Sequence, residues 1–432
     1  MTPAPERVSA VGGTRTVPAP DPIATDYLLL GLRLDQHLPG LVDAYYGPAD
    51  VKARVDMEQL RAPSRLREDV ASLADLVTRE VDEQDRKEWL TAQLHALDAH
   101  ALALAGEPLP YPAYVKRCMG FAPRRHKDTV FDAAASAIDA LLPGRGSVAE
   151  RLEAWDRELE VPVDRLPSVA EWLVDRFRER ARRDFGLPDG ESLRVSIVRD
   201  KPWIAYNSYE GGRRSRIDIN VDLPVTVPDL VDTIAHETYP GHHLEQSWKE
   251  ADLVDRRHWL EVSMVLTNTP EGPVSEGLAR YGTRLASPLE ERADLLVELF
   301  EKAGLAIAAD RIAADRIAAR EIAERAVALV GPRAILDGAV DEAALRRHAD
   351  GRSHKEVLAY LRAVGRCSPE VAAKRLEFIE DPLFRLYVFA YEEGEKLVAR
   401  WVETGEAPDR LGRFGRLLHE QVTPGRLRAG MD

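Results

Sequence analysis

The residues best suited to chemistry lie in one short run, from His236 to His243. The run reads HETYPGHH and holds three of the chain's eleven histidines, with a glutamate directly after the first. Imidazole groups this close together are typical of a zinc site, and a glutamate in that position takes a proton from water in zinc hydrolases. We therefore predict that His236 binds Zn²⁺ and that Glu237 is the general base.

The identity of the second histidine ligand depends on how the helix continues. In an unbroken helix His242 lies roughly 120° around the axis from His236, whereas His243 faces the same way but lies about 10 Å further along. Pro240 lacks a backbone donor and its ring collides with the carbonyl four residues earlier, so the helix must deform. Because Gly241 tolerates unusual backbone angles, we predict a bulge that makes His242 the ligand, with His243 as the alternative.

A carboxylate is the expected third ligand, because catalytic zinc sites usually keep one position open for water. The segment TPEGPVSEGLARYGTRL offers Glu271 and Glu276. Glu276 begins an apolar-periodic helix, far enough after His242 for one helix to leave and another to return. Glu271, between a proline and a glycine, is the less favoured ligand.

The elements that position these residues are predicted to be mostly helices. Amphipathic spacing predicts helices over 67–81, 87–104, 129–142 and 148–158, and Thr226 with Asp229 resembles a capping pair before the helix of His236. The segment 194–198 and the alternating Ile217, Ile219 and Val221 predict strands. A turn around residues 211–212 joins the last of these to 203–209, so we expect a small β-hairpin beside the site.

The fold is predicted to be mainly α, a single large helical body with a small β-hairpin or sheet near the active-site helix. Residues 1–22 are predicted to be a flexible tail, 23–190 a helical N-terminal part and 191–432 the part with the zinc site, in one continuous fold. The repetitive stretch AADRIAADRIAAREIAERA, at 308–326, is predicted to be one long amphipathic helix.

The composition argues against several functions. Acidic residues outnumber basic ones by 73 to 59, so nucleic acid is not an expected partner. The sequence has no run of about 18 apolar residues and no secretory signal at its start, which predicts a cytoplasmic protein that does not span a membrane. Cys118 and Cys367 are predicted to be packed free thiols.

Two motifs resemble a known family. HETYPGHHLEQ and the later SEGLARY are similar to HExYPGHHxQ and EGWALY of the bacterial family called domain of unknown function 885. That family resembles thermostable-type carboxypeptidases and other gluzincins with a neurolysin-like helical fold. The second motif departs from the family at Leu278 and Arg280, where Trp and Leu are usual. The chain also lacks the family's Val-Asp-Thr-Gly segment after this motif.

The resemblance implies that His236, His242 and Glu276 are zinc ligands, that Glu237 is the base, and that Tyr391 matches the family's late Tyr-x-x-Gly. Tyr391, Tyr387 and Arg280 are our candidates for sharing the charge of the tetrahedral oxygen. We expect a metallopeptidase, and carboxypeptidase action by analogy. Its partner would be a peptide or small amide substrate. The alternatives are a zinc hydrolase of a non-peptide amide and a metal-binding protein without catalysis.

Overall fold

The computed structural model describes residues 21–201, 203–305, 313–404 and 409–431. Within these ranges the chain is mainly α-helical with small sheets, so the predicted fold class is confirmed. The predicted flexible tail lies almost wholly outside the described residues, and so does the beginning of the repetitive stretch, at 308–312. The remainder of that stretch is helical, as predicted.

The N-terminal part is built from helices that largely coincide with those predicted from amphipathic spacing. Their bounds are α1 Pro22–Asp35, α2 Ala49–Met57, α3 Pro63–Glu80, α4 Gln84–Leu104, α5 Tyr111–Met119, α6 Asp128–Leu141, α7 Val148–Glu158 and α8 Leu166–Phe185. A short strand, β1 Val42–Tyr45, interrupts them after α1 and pairs antiparallel with a later strand, β5 Met264–Leu266.

The predicted hairpin is present and carries one further strand. Strand β3 (Ala205–Tyr209) pairs antiparallel with β4 (Arg214–Asn220), and β2 (Ser192–Val198) pairs parallel with the other side of β4. Among the described residues, the order β2-β4-β3 leaves β3 with a strand neighbour on one side only. The sheet buries Ile217 and Ile219 of its central strand, which explains the alternation seen in the sequence.

The helices that follow the sheet begin with the two that contain the histidine run. The helices are α9 Val227–Glu237, α10 His242–Lys249, α11 Glu271–Ala286, α12 Leu289–Ala303, α13 Ala313–Asp337, α14 Ala339–His348, α15 His354–Ala363, α16 Pro369–Glu380, α17 Val388–Glu403, α18 Arg410–His419 and α19 Pro424–Ala429. A π-helical segment, Glu250–Arg256, continues α10, and a 3-10 turn, Leu260–Ser263, precedes β5.

The buried apolar residues form two large clusters, which together draw on helices from α1 to α19. One cluster joins α1–α4 to Leu260, Met264 and Leu266, and a larger one runs from Ala96 to Leu427. Cys118 and Cys367 are buried free thiols, as predicted. Among the described helices, none is both long and apolar enough to cross a lipid bilayer.

Candidate metal centre

Helix α9 carries His236 and Glu237 on its last turn. It begins where predicted, because the Thr226 hydroxyl accepts the backbone N–H of Asp229 over 3.2 Å. Its apolar face, with Leu230 and Ile234, is fully buried and fixes the helix against the core. The packed helix α9 therefore fixes the positions of His236 and Glu237.

The helix is interrupted between His236 and His242, and a second helix begins after the interruption. Helix α9 ends at Glu237, the Tyr239–Pro240 peptide bond is cis, and α10 begins at His242. The predicted two-residue bulge in a continuing helix is therefore wrong, although Pro240 does stand at the deformation. Gly241 is also needed for its small size, since a Cβ there would lie 1.8 Å from the carbonyl oxygen of His236.

The break brings His242 to His236, and α11 adds Glu276. The two imidazole rings stand nearly perpendicular with centroids 4.6 Å apart. Nε2 of His236 lies 3.2 Å from Oε2 of Glu276, and Nε2 of His242 lies 3.8 Å from Oε1. One ligand atom from each residue falls within 4.8 Å of the other two, a spacing that could hold one metal ion.

The donor set fits a zinc ion. Two imidazole nitrogens and one carboxylate are the ligands of many catalytic zinc sites. Glu276 is 4% exposed, and its Oε2 atom is buried without a hydrogen-bond partner in the described part of the chain. This oxygen faces Nε2 of His236, and a cation bound by both atoms would stabilise the buried carboxylate, so the residues present match the predicted cofactor.

The other ring nitrogen of His242 is fixed by a hydroxyl. Nδ1 lies 3.2 Å from the Ser275 hydroxyl, which donates its proton to Glu245 over 2.6 Å. Since that hydroxyl has one proton, Nδ1 of His242 is the donor, and in the neutral ring Nε2 carries the lone pair that could bind a metal ion. This arrangement orients the ring towards Glu276 and raises its basicity.

Glu271, the less favoured ligand, belongs to a buried network that reaches His242 only through Lys249, Glu245 and Ser275. Its Oε1 lies 3.6 Å from the Lys249 ammonium, which also contacts Glu245 at 2.7 Å, and Gln93 contacts Oε2. Glu271 is therefore held by Lys249 and Gln93 and does not join His236 and His242.

His243, the alternative ligand, is engaged elsewhere. It is fully buried, with Nδ1 2.8 Å from the Ser215 hydroxyl and Nε2 3.1 Å from Glu191. Glu191 also accepts a hydrogen bond from Tyr239 and pairs with Arg178. The structure thus gathers His242, and not His243, with His236 and Glu276.

Glu237 lies next to the cluster and is 8% exposed. Burial raises the pKa of its carboxyl, while the nearby imidazoles of His236 and His242 lower it in part. The side chain of Asn207 on β3 donates to the backbone carbonyl of Glu237 over 2.7 Å, which ties the edge strand to the end of α9.

The three candidates for stabilising the oxyanion differ in their contacts. Tyr387 donates to Glu276 over 2.7 Å, and Arg280 pairs with Glu395 at 3.2 Å. Within the described residues, the Tyr391 hydroxyl has no hydrogen-bond partner. Its ring packs edge-on against Tyr387 and lies 6.0 Å from the Arg280 guanidinium. Burial and the charges of Glu276 and Glu237 raise the pKa of Tyr391, consistent with its place beside them.

Three further residues near the cluster, Asp43, Tyr206 and Glu245, were not predicted as site residues. Asp43 of β1 accepts a hydrogen bond from the Tyr206 hydroxyl of β3, and both line the same cavity of about 5700 Å³ as His236 and Glu276. Burial raises the pKa of Asp43, and the opposing influence of Tyr206 and His242 shows that the carboxyl lies near the cluster. Asp43 is nearly 200 residues from the motif, and nothing in its local sequence marks it. Glu245, three residues after His242 on one helix, could have been found from spacing.

Comparison with known proteins gives distant structural similarity only. No family profile and no curated protein matches the chain in sequence. A candidate lipoprotein from Colwellia psychrerythraea is 13% identical with a TM-score of 0.49, over 85% of this chain and 69% of its own. A candidate lipoprotein of unknown function from Shewanella oneidensis is 11% identical with a TM-score of 0.48, over 94% and 82%. An M32 carboxypeptidase from Deinococcus radiodurans R1 is 14% identical with a TM-score of 0.38, over 92% and 89%.

Proposed function

We propose that this chain is a zinc-dependent metallopeptidase, with His236, His242 and Glu276 as ligands and Glu237 as the general base. The observation that carries the proposal is the convergence of those three ligand atoms within 4.8 Å at the end of the helix that bears Glu237. A metal-binding protein without catalysis would have no use for a buried carboxylate at that position.

The ion would supply Lewis-acid activation of water and of a carbonyl group. Glu237 takes the proton from the attacking water and then gives it to the leaving amine. The hydroxyl of Tyr391, which has no hydrogen-bond partner among the described residues, donates to the oxygen that gains negative charge. Tyr387 holds Glu276 and therefore positions a ligand.

A peptide is the favoured substrate because an edge strand borders the site. Residues 205–209 of β3 line the cavity, and within the part of the chain that the structure describes β3 has a strand partner on one side only. An extended peptide can pair with such an edge through backbone hydrogen bonds, which tolerate different sequences. The contact of Asn207 with the Glu237 backbone places this edge at the proposed base.

The test combines metal content with cleavage of a mixed peptide library. We expect the purified protein to carry zinc and to cut peptides, with the cut positions showing whether it acts at chain ends. Glu237→Gln should retain zinc and lose cleavage, whereas His236→Ala should lose both. His354→Ala serves as control, since that exposed histidine pairs only with Glu380 among the described residues.

Three results would count against the proposal in different ways. Full cleavage by Glu237→Gln contradicts the role of the base. Zinc without cleavage of any peptide points to hydrolysis of a non-peptide amide or to a site that only binds metal. Absence of zinc after purification and after reconstitution removes the proposal altogether.

A further inference from the structure

A second group of metal-ligating side chains lies outside the site described above. His126 precedes α6, Asp341 is on the first turn of α14, and Glu392 is on α17. One ligand atom from each lies within 4.8 Å of the other two. No motif in the sequence brings these three residues together, because the segments that carry them are far apart in the chain.

Asp341 is a buried carboxylate without a partner. It is 4% exposed, and in the described part of the chain its side chain has no hydrogen bond and no ion pair. Its nearest negative neighbours are Glu392 and Glu393. The positive groups that face it are already engaged, Lys396 with those two glutamates and Arg280 with Glu395. A carboxylate in this position needs a proton or a cation.

Glu392 has one carboxylate oxygen that lies in the same cluster as Asp341 and His126 and makes no hydrogen bond among the described residues. Its Oε1 accepts from Lys396, while Oε2 is buried without a hydrogen-bond partner and lies 3.6 Å from Nε2 of His126. The chain makes room for this oxygen at Gly338, where a Cβ would stand 2.6 Å from it. Two independent observations therefore converge beside one imidazole: the Asp341 side chain has neither a hydrogen bond nor an ion pair among the described residues, and Oε2 of Glu392 has no hydrogen bond and faces His126 alone.

We propose that His126, Asp341 and Glu392 bind a second divalent transition-metal ion. One imidazole and two carboxylates suit Zn²⁺ or Mn²⁺, with water completing the coordination. The ion ties the segment before α6 and helix α14 to α17, the helix that carries Tyr391. The proposal is independent of the peptidase function.

The experiment counts bound metal in the full chain. Metal-free protein is dialysed against Zn²⁺ alone and, separately, Mn²⁺ alone, and the bound metal is measured by mass spectrometry. We expect His126→Ala and the isosteric Asp341→Asn each to bind one equivalent less than the wild type. His354→Ala, which removes an exposed histidine paired with a single carboxylate, should keep the wild-type count.

The two sites are separated by working in the His236→Ala background. There, one equivalent should remain, and adding His126→Ala should remove it. Pulsed electron paramagnetic resonance of the remaining Mn²⁺ should show nitrogen coupling, which is absent in His126→Gln. The nitrogen coupling is measured in the single variant His236→Ala, so it tests the proposal even if a double variant does not fold. Wild-type metal counts in both second-site variants, no metal in His236→Ala, or Mn²⁺ there without nitrogen coupling would overturn the proposal.

Discussion

Tyr387, the residue directly before α17, donates a hydrogen bond of 2.7 Å to Oε1 of Glu276 on α11. This contact leaves Oε2 of the same carboxylate turned towards His236, at 3.2 Å. Tyr387 thus orients the proposed ligand and is not free to contact a substrate oxygen. Its neighbour Tyr391, one helical turn later, has no hydrogen-bond partner within the described residues, so the two tyrosines should differ in their effects.

Tyr387→Phe should weaken zinc binding by about 10- to 100-fold, because an outer hydrogen bond to a ligand supports metal affinity to that extent. Competition with a fluorescent chelator measures the affinity. Activity should return when excess zinc is supplied. An unchanged zinc affinity would show that Glu276 does not need this contact.

Tyr391→Phe should lower kcat by about 100- to 1000-fold and leave zinc affinity unchanged, since loss of an oxyanion donor acts on the transition state. Steady-state kinetics on a cleaved peptide measures kcat and KM separately. An effect confined to KM would make Tyr391 a substrate-binding residue instead.

His243→Ala should keep zinc and lose stability, in contrast to His242→Ala, which should lose zinc. His243 is fully buried, and its removal leaves Ser215 without this partner and one contact of Glu191 unmade. We expect a loss of about 2–4 kcal/mol in the free energy of unfolding. Metal analysis and chemical denaturation of both variants test this, and loss of zinc in His243→Ala would reverse the assignment.

Local signals predicted the parts of the site that lie within one element. The cap at Thr226, the helix that carries His236 and the alternation of Ile217 and Ile219 each depend on neighbours in sequence, and all are present. The sequence predicts that the helix is deformed at Pro240, but it does not predict that the helix ends there. The close approach of Gly241 to the His236 carbonyl, which fixes this geometry, forms only after the chain turns.

Contacts between distant segments could not be predicted in the same way. The parallel pairing of β2 with β4 and the arrival of Asp43 opposite Tyr206 are set by packing across the whole chain. The grouping of His126 with Asp341 and Glu392 is of the same kind. Each of these residues has an ordinary local context, so its role becomes visible only in three dimensions.

Gly277→Ala should separate α11 from α17. A Cβ at Gly277 would lie 2.2 Å from the carbonyl oxygen of Gly394, which is backbone and cannot move aside alone. We expect a loss of about 1–3 kcal/mol in the free energy of unfolding and weaker zinc binding, because Glu276 is the adjacent residue. Gly415→Ala is the control, since its Cβ would meet Phe185 at an ordinary 3.8 Å. Equal stability of the two variants would contradict the close helix contact.

His100 should make the protein less stable in mild acid. Its Nε2 lies 3.0 Å from the carbonyl of Asn268 and its Nδ1 2.7 Å from the Tyr114 hydroxyl, so the neutral ring is fully hydrogen-bonded. Burial, opposed by the Asn268 carbonyl and assisted by Arg385, lowers the pKa of His100 to about 4. An unfolded histidine has a pKa of about 6.5, so the unfolded chain binds the extra proton between these values.

The free energy of unfolding should therefore fall as the pH drops from about 6.5 towards about 4, by about 2 kcal/mol at pH 5 from this residue alone. Denaturant titrations at about pH 7.5 and about pH 5 measure the change. His100→Gln should be less stable at both pH values, since it loses the paired ring, but its decrease between them should be smaller by that amount. His354→Gln, at an exposed position, should keep the wild-type decrease. The same decrease in His100→Gln as in the wild type would show that another group causes the acid sensitivity.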